Sequence, residues 1–181
     1  WSDWELESFG EVGITESVVF DQYIESRYTA RALAEETGIS KSQINTALNR
    51  CIAVGLAKRD RKTGAPRVNT KALFEFIVYG LKYVFPAKAG ELTRGITTTF
   101  AAPVLNKKLM TAGDLPLVWP DAKGNTKGQA VAPLFKSVTH AVRRDPEMYA
   151  LLALIDSIRL GQPREAGLAV DLLKQHFKLE L

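Results

Sequence analysis

The chain is poor in the residues that mark the commoner catalytic and metal chemistries. Its 181 residues include one cysteine, Cys51, and two histidines, His140 and His176. One cysteine makes no internal disulfide and no cysteine-based metal site. The two histidines sit too far apart in sequence for a metal-ligand motif, and each is read as a surface or partly packed residue. G-x-S-x-G, a phosphate-binding loop and a dinucleotide fingerprint are all missing, so neither an enzyme nor a cofactor is expected. No run approaches the ~20 apolar residues of a membrane span, which leaves no membrane partner. The first residues, WSDWELESFG, lack the basic start and apolar run of a signal peptide. A reducing, cytoplasmic setting is the expectation, with Cys51 as a packed thiol on the apolar side of a helix.

The composition is that of an ordinary globular protein, 46% hydrophobic and 24% charged. The net charge of +4 hides a sharp asymmetry. Residues 1–28 carry seven acids against Arg27 alone, a net of −6. Residues 40–69 carry Lys41, Arg50, Lys58, Arg59, Arg61, Lys62 and Arg67 against Asp60, a net of +6. So dense a basic segment points to a polyanion partner, the alternative being a solvated charged face.

Periodicity then orders the first half of the chain. Thr15 is placed to cap a helix over about 16–26, with Val18, Val19, Tyr23 and Ile24 at near-helical spacing. Thr29 caps a second helix, TARALAEET, with Leu33 and Ala34 inward, and Gly38 stops it. Ser40 is the N-cap of a third. There Ile44, Ala47, Leu48, Cys51 and Ile52 form one apolar stripe, and Gly55 ends it. The period changes across LAKRDRKTGAPRVN, which reads as a hairpin around Thr-Gly-Ala-Pro. Asn69 or Thr70 caps a further helix, KALFEFIVYGLKYVF, apolar and aromatic on most faces. Such a helix is buried, or half of it meets a partner. Pro86 ends it.

The order helix, helix, glycine turn, helix, basic hairpin, helix is similar to the winged helix-turn-helix module of bacterial regulators of the MarR and GntR kind. Ala34, Gly38, Ile39, Ile44, Leu48 and the GLAKRD run into the hairpin carry the resemblance, over about residues 15–80. It implies a DNA-binding transcriptional regulator, a dimeric repressor, with helix 40–54 in the major groove and wing 57–69 on the backbone or minor groove. The third helix presents an outer face without an acid. On it Ser42, Gln43, Asn45 and Thr46 are suited to base edges, while Ser40, Lys41, Asn49 and Arg50 lie at its start and flanks against phosphate. Lys58, Arg59, Arg61, Lys62 and Arg67 of the wing are further phosphate contacts. The alternative is a winged helix that binds protein.

The remainder carries weaker signals. Residues 86–133 are rich in proline and glycine and read as an irregular meander with two short strands and one short helix. Arg94 with Thr93, Thr97, Thr98 and Thr99 is either an anion-binding group or a hydrogen-bonded turn. Residues 134–181 return to amphipathic helices, with Pro146 at the first turn of one and Leu168, Leu172, Leu173 and Phe177 along one face of the last. The expected fold class is therefore mainly α with a small hairpin, in three parts: 1–85, 86–133 and 134–181. A homodimer is expected through helix 71–85 or the C-terminal helices, and 86–181 is expected to take a protein partner or small effector. The stretch KYVFPAKAGELTRGITTTFAAPVL also resembles uncharacterised bacterial winged-helix proteins that neighbour phage-defence or toxin–antitoxin genes. That likeness implies an antitoxin-like alternative, with DNA binding for autoregulation.

Overall fold

The computed structural model describes residues 18–23, 25–106, 108, 113 and 115–179. The chain is mixed α/β rather than mainly α: its helices accompany a two-stranded and a three-stranded sheet. It divides into two compact units, Trp1–Glu35 with Ile39–Asn69, and Glu36–Gly38 with Thr70–Leu181. Among the described residues no helix is long and apolar enough to cross a membrane.

In the first unit residues 18–23 and 25–27 are helical. Thr15 and Ile24, the expected cap and one expected apolar position, lie outside the described residues. Helix α1 is Ala30–Thr37, started by Thr29, whose Oγ1 accepts from the Ala32 N–H at 3.1 Å. Helix α2 is Lys41–Ala53, with Ser40 as N-cap. Gly38 and Gly55 follow the two helices at φ +70° and +79°, the left-handed conformation that glycine adopts without a Cβ penalty. Strands β1 (Ala57–Arg59) and β2 (Pro66–Val68) pair antiparallel, Ala57 opposite Val68 and Lys58 opposite Arg67. Asn69 ties the hairpin back, its Nδ2 donating to the Gly55 carbonyl at 3.0 Å.

The second unit opens with α3 (Thr70–Glu75), a π-helical turn (Phe76–Gly80) and α4 (Leu81–Val84). The sequence predicts one unbroken helix here. The wider turn coincides with Gly80, where an added Cβ would press on the Phe76 ring at 3.1 Å. Ile77 and Leu81 are buried, while Tyr79, Tyr83, Val84 and Phe85 are exposed.

The segment expected to be irregular holds three strands: β3 (Ala89–Thr98), β4 (Leu117–Pro120) and β5 (Thr126–Val131). Each pairs with the other two, β3 antiparallel to both and β4 parallel to β5. The small sheet closes on itself and leaves no free edge. Closure this tight requires backbones in contact. A Cβ on Gly95 would overlap the Trp119 carbonyl, and one on Gly124 would overlap Gly95 itself. The glycines that made the segment look unstructured are what let it close.

Helices α5 (Val138–Arg144), α6 (Pro146–Leu160) and α7 (Pro163–His176) complete the unit. Pro146 stands in the first turn of α6 as expected, and Asp145 caps it by accepting from the Glu147 and Met148 N–H groups. Ile77, Leu81, Leu105, Leu154, Ile155, Ile158, Ala169, Leu172 and Leu173 form one core cluster. This is why helix 70–84 groups with the C-terminal helices and not with the hairpin before it. Ala102, Trp119, Val138, Val142 and Ala153 form a second cluster.

Candidate nucleic-acid interface

Helix α2 turns Ile44 inward, buried, with Leu48, Cys51 and Ile52 half-buried beside it. At about 100° per residue, Ser42, Thr46, Asn49 and Arg50 then centre on the opposite face, with Gln43 at one edge of it. Asn45 and Lys41 lie round the other edge, on the side of Ile52 and Leu48. Every one of these residues, and Ser40, is exposed. The face carries no acid, and the helix has none in its first turn.

Local hydrogen bonds already shape part of this face. Ser40 Oγ accepts from the Gln43 N–H at 3.4 Å and donates to Gln43 Oε1 at 2.9 Å. The carbonyl end of Gln43 is thereby held against the cap, which leaves its amide N–H groups for an outside acceptor. Thr46 Oγ1 donates to the Ser42 carbonyl at 3.0 Å, so its hydroxyl proton is already committed. Neither constraint can be read from spacing alone.

Beyond α2, the hairpin brings Lys58, Arg59, Arg61, Lys62 and Arg67 together, all exposed. Asp60 builds its turn, accepting from the Lys62 and Thr63 N–H groups at 2.9 and 3.0 Å. Those backbone donors, Thr63 first, hold its carboxyl below the ordinary carboxylate range, with Arg67 adding a smaller pull. Arg67 Nε reaches Asp60 at 3.5 Å, and Arg59 Nη1 donates to the Gly64 carbonyl at 3.2 Å. Two of the five bases are thus partly committed to the turn. Lys58, Arg61 and Lys62 make no ion pair among the described residues. Lys58 and Arg67 lie directly opposite in the ladder, a like-charge pair that destabilises an isolated hairpin.

Between α1, α2 and the hairpin runs an open groove of about 380 Å³, lined by Tyr28, Leu33, Leu48, Ala57, Ala65, Pro66, Arg67 and Val68. A neighbouring hollow of about 300 Å³ shares Tyr28, Leu48, Ala65 and Pro66 with it and adds Glu25, Asn45 and Arg59.

The second unit holds a buried polar cluster. Asp156 is buried on α6. Its Oδ2 accepts from Thr98 Oγ1 at 2.9 Å and Trp119 Nε1 at 2.7 Å, and its Oδ1 from Arg159 Nη1 at 2.7 Å. Arg159 Nε donates onward to the Phe85 carbonyl at 3.0 Å. Burial pushes the Asp156 carboxyl up, and Arg159 with the three donors pulls it part of the way back. The cluster ties the end of α4, strands β3 and β4 and helix α6 at one point. Its signal in the sequence was two charges in the otherwise apolar run LLALIDSIRL.

This geometry corrects the grouping of Arg94 with the neighbouring threonines. Thr98 serves Asp156, and Thr97 Oγ1 meets the Tyr149 hydroxyl at 2.9 Å. Thr99 is buried, with φ +55° and no partner for its hydroxyl among the described residues, while Arg94 is exposed. Strand alternation sends these side chains to different places. Of the histidines, His176 Nδ1 lies 2.8 Å from Glu147 on the surface. Among the described residues no group of histidine, cysteine and acids could hold a metal.

No protein-family model matches the chain, and neither a curated protein nor a solved structure shows significant similarity to it.

Proposed function

We propose that the first unit binds double-stranded DNA in the manner of a winged helix, and that the protein is a transcriptional regulator acting as a repressor. The observation that carries this reading is the exposed basic hairpin next to an exposed, acid-free helix face. Lys58 set against Arg67, with Arg61 and Lys62 nearby, is a self-repelling arrangement that a phosphate backbone relieves. In this reading α2 enters the major groove, where Ser42, Gln43, Asn45 and Thr46 meet base edges. Ser40, Lys41, Asn49 and Arg50 hold the adjoining phosphates. The Ser40 bond suits Gln43 to donate to guanine or thymine acceptors. The hairpin follows the backbone or the minor groove.

A gel shift on DNA from upstream of the protein's own gene tests this. Asn45→Ala with Arg61→Ala is expected to abolish sequence-selective retardation, while Lys136→Ala in the second unit leaves it unchanged. Retardation untouched by the double substitution would remove α2 and the hairpin from the interface.

A second reading rests on the exposed Tyr79, Tyr83, Val84 and Phe85. An apolar edge of this kind fits a protein partner of the second unit, as in an antitoxin-like protein whose DNA binding serves autoregulation. Co-purification with a neighbouring gene product, lost in Tyr79→Ser/Tyr83→Ser, is the expected result under that reading.

A further inference from the structure

The closed sheet of the second unit carries bases that its own surroundings do not neutralise. Arg94 on β3 and Lys127 on β5 stand directly opposite each other in the antiparallel ladder, and both are exposed. Side chains so placed share one face with Cβ atoms about 5 Å apart, where like charges destabilise the pairing. The neighbouring chain supplies a single acid. From Leu92 to Thr98 and from Leu117 to Val131, Asp121 is the one carboxylate. It lies against the same place, its N–H donating to the Arg94 carbonyl at 3.0 Å. Its carboxylate is already engaged: Oδ2 is 2.7 Å from Arg143 Nη1 of α5, and Oδ1 accepts from the Lys123 N–H at 2.7 Å. Gly124, lacking a Cβ, packs its backbone on that of Gly95, which brings this turn and the exposed Lys123 beside Arg94. Arg94, Lys123 and Lys127 make no ion pair among the described residues. Four bases thus meet one acid at this end of the sheet.

We infer that this corner of the second unit binds the phosphate backbone of DNA, as a contact separate from the helix and hairpin of the first unit. The chemistry fits the bases present. The Arg94 guanidinium can fork onto two phosphate oxygens, and Lys123 and Lys127 act as point charges beside it. Spread over two strands and a turn, they suit an extended polyanion whose charges repeat, rather than one small anion. A phosphate seated between Arg94 and Lys127 also removes the repulsion that the ladder imposes on them. Contacts of this kind hold and position a duplex without reading its sequence. The inference takes its ligand from the DNA reading of the first unit, but none of its residues.

Fluorescence anisotropy of the full chain tests it, with a labelled duplex from upstream of its own gene and a scrambled duplex of the same length. Arg94→Ala with Lys127→Ala should weaken binding to both duplexes by the same factor. It should also flatten the slope of log affinity against log salt by roughly 2, on top of whatever the hairpin supplies. Arg94→Lys with Lys127→Arg, which keeps the charge, should keep the wild-type slope. The alanine variant should melt no lower than the wild type, because a cross-strand repulsion has gone. Unchanged affinity and slope in the alanine variant would overturn the inference. So would a loss that the charge-conserving variant shares, since that reports the fold and not the charge. Poly-glutamate bound as tightly as the duplex, and released by the alanine pair, would assign the corner to an acidic protein instead. Binding that falls here but is untouched by Arg61→Ala with Lys62→Ala would sink the first-unit reading and leave this one standing; the opposite pattern would do the reverse.

Discussion

Among the described residues, Ile44 and Ala65 are the buried apolar side chains of the first unit; the second buries Leu105, Trp119, Leu154 and Leu173 to within 1% exposure, with thirteen further buried apolar side chains. The contrast extends to charge. In the first unit the charged side chains stand in water on a hairpin and a helix face. In the second, Asp156 and Arg159 are each 3% exposed at the side chain and are paired with each other and with three elements. Buried packing is thus concentrated in one unit and the dense exposed basic charge in the other. The second unit turns Asp156 and Arg159 inward to tie its elements together, whereas the first leaves its basic side chains exposed.

The largest expected effect separates the two units at this buried pair. Arg159→Met leaves a carboxylate buried without its cation, and should destabilise the second unit by about 3–5 kcal/mol in urea unfolding. Adding Asp156→Leu should recover much of that loss, because the uncompensated charge goes with it. A single variant as stable as the wild type would mean that the pair is not closed to water.

A smaller effect compares core with half-core. Leu154→Ala, at a fully buried position, should cost roughly 2–5 kcal/mol. Ile52→Ala, half-buried on α2, should cost about 1 kcal/mol, in proportion to the area it hides. Equal losses by thermal or chemical denaturation would contradict the thin core assigned to the first unit.

The smallest effect is one of sign. Asp60 is held below its ordinary value of 3.8 by the backbone donors of its turn. A depressed carboxyl contributes stability that is present above 3.8 and is lost as pH falls through its folded value. Asp156 is raised above 3.8 by burial. Its contribution is present below 3.8 and is lost as pH rises through its folded value. Carbon-detected titration of the two carboxyls should place their midpoints on opposite sides of 3.8. Midpoints on the same side would erase this difference between the units.

What could be read from sequence follows the range of the interactions. Thr29, Ser40, Gly38 and Pro146 act on their own helix ends, and their caps and stops lie within a few residues of them. The stripe of Ile44, Leu48, Cys51 and Ile52 indicated which face of α2 would be wet, and so the candidate interface; Ala47, expected in the same stripe, is exposed. The closed sheet was hidden because Ala89 pairs with Val131 and Gly95 with both Pro120 and Thr126. Such pairings depend on distant chain, and glycine and threonine give no clean alternation to announce them. Asp156 likewise finds Thr98 and Trp119 from 58 and 37 residues away. The commitment of Gln43 to Ser40 is local but depends on rotamers, which spacing does not encode.

The claim that the outward charges of the first unit are a DNA-binding surface is tested most directly by the salt dependence of affinity. Fluorescence anisotropy with a labelled duplex, from 50 to 200 mM salt, reads it. If Lys58, Arg59, Arg61, Lys62 and Arg67 neutralise about five phosphates, log affinity should fall against log salt with a slope of about −4 to −5. Arg61→Ala with Lys62→Ala should flatten that slope by roughly 2. No binding at 50 mM salt, or a slope that the double substitution leaves unchanged, would contradict the account.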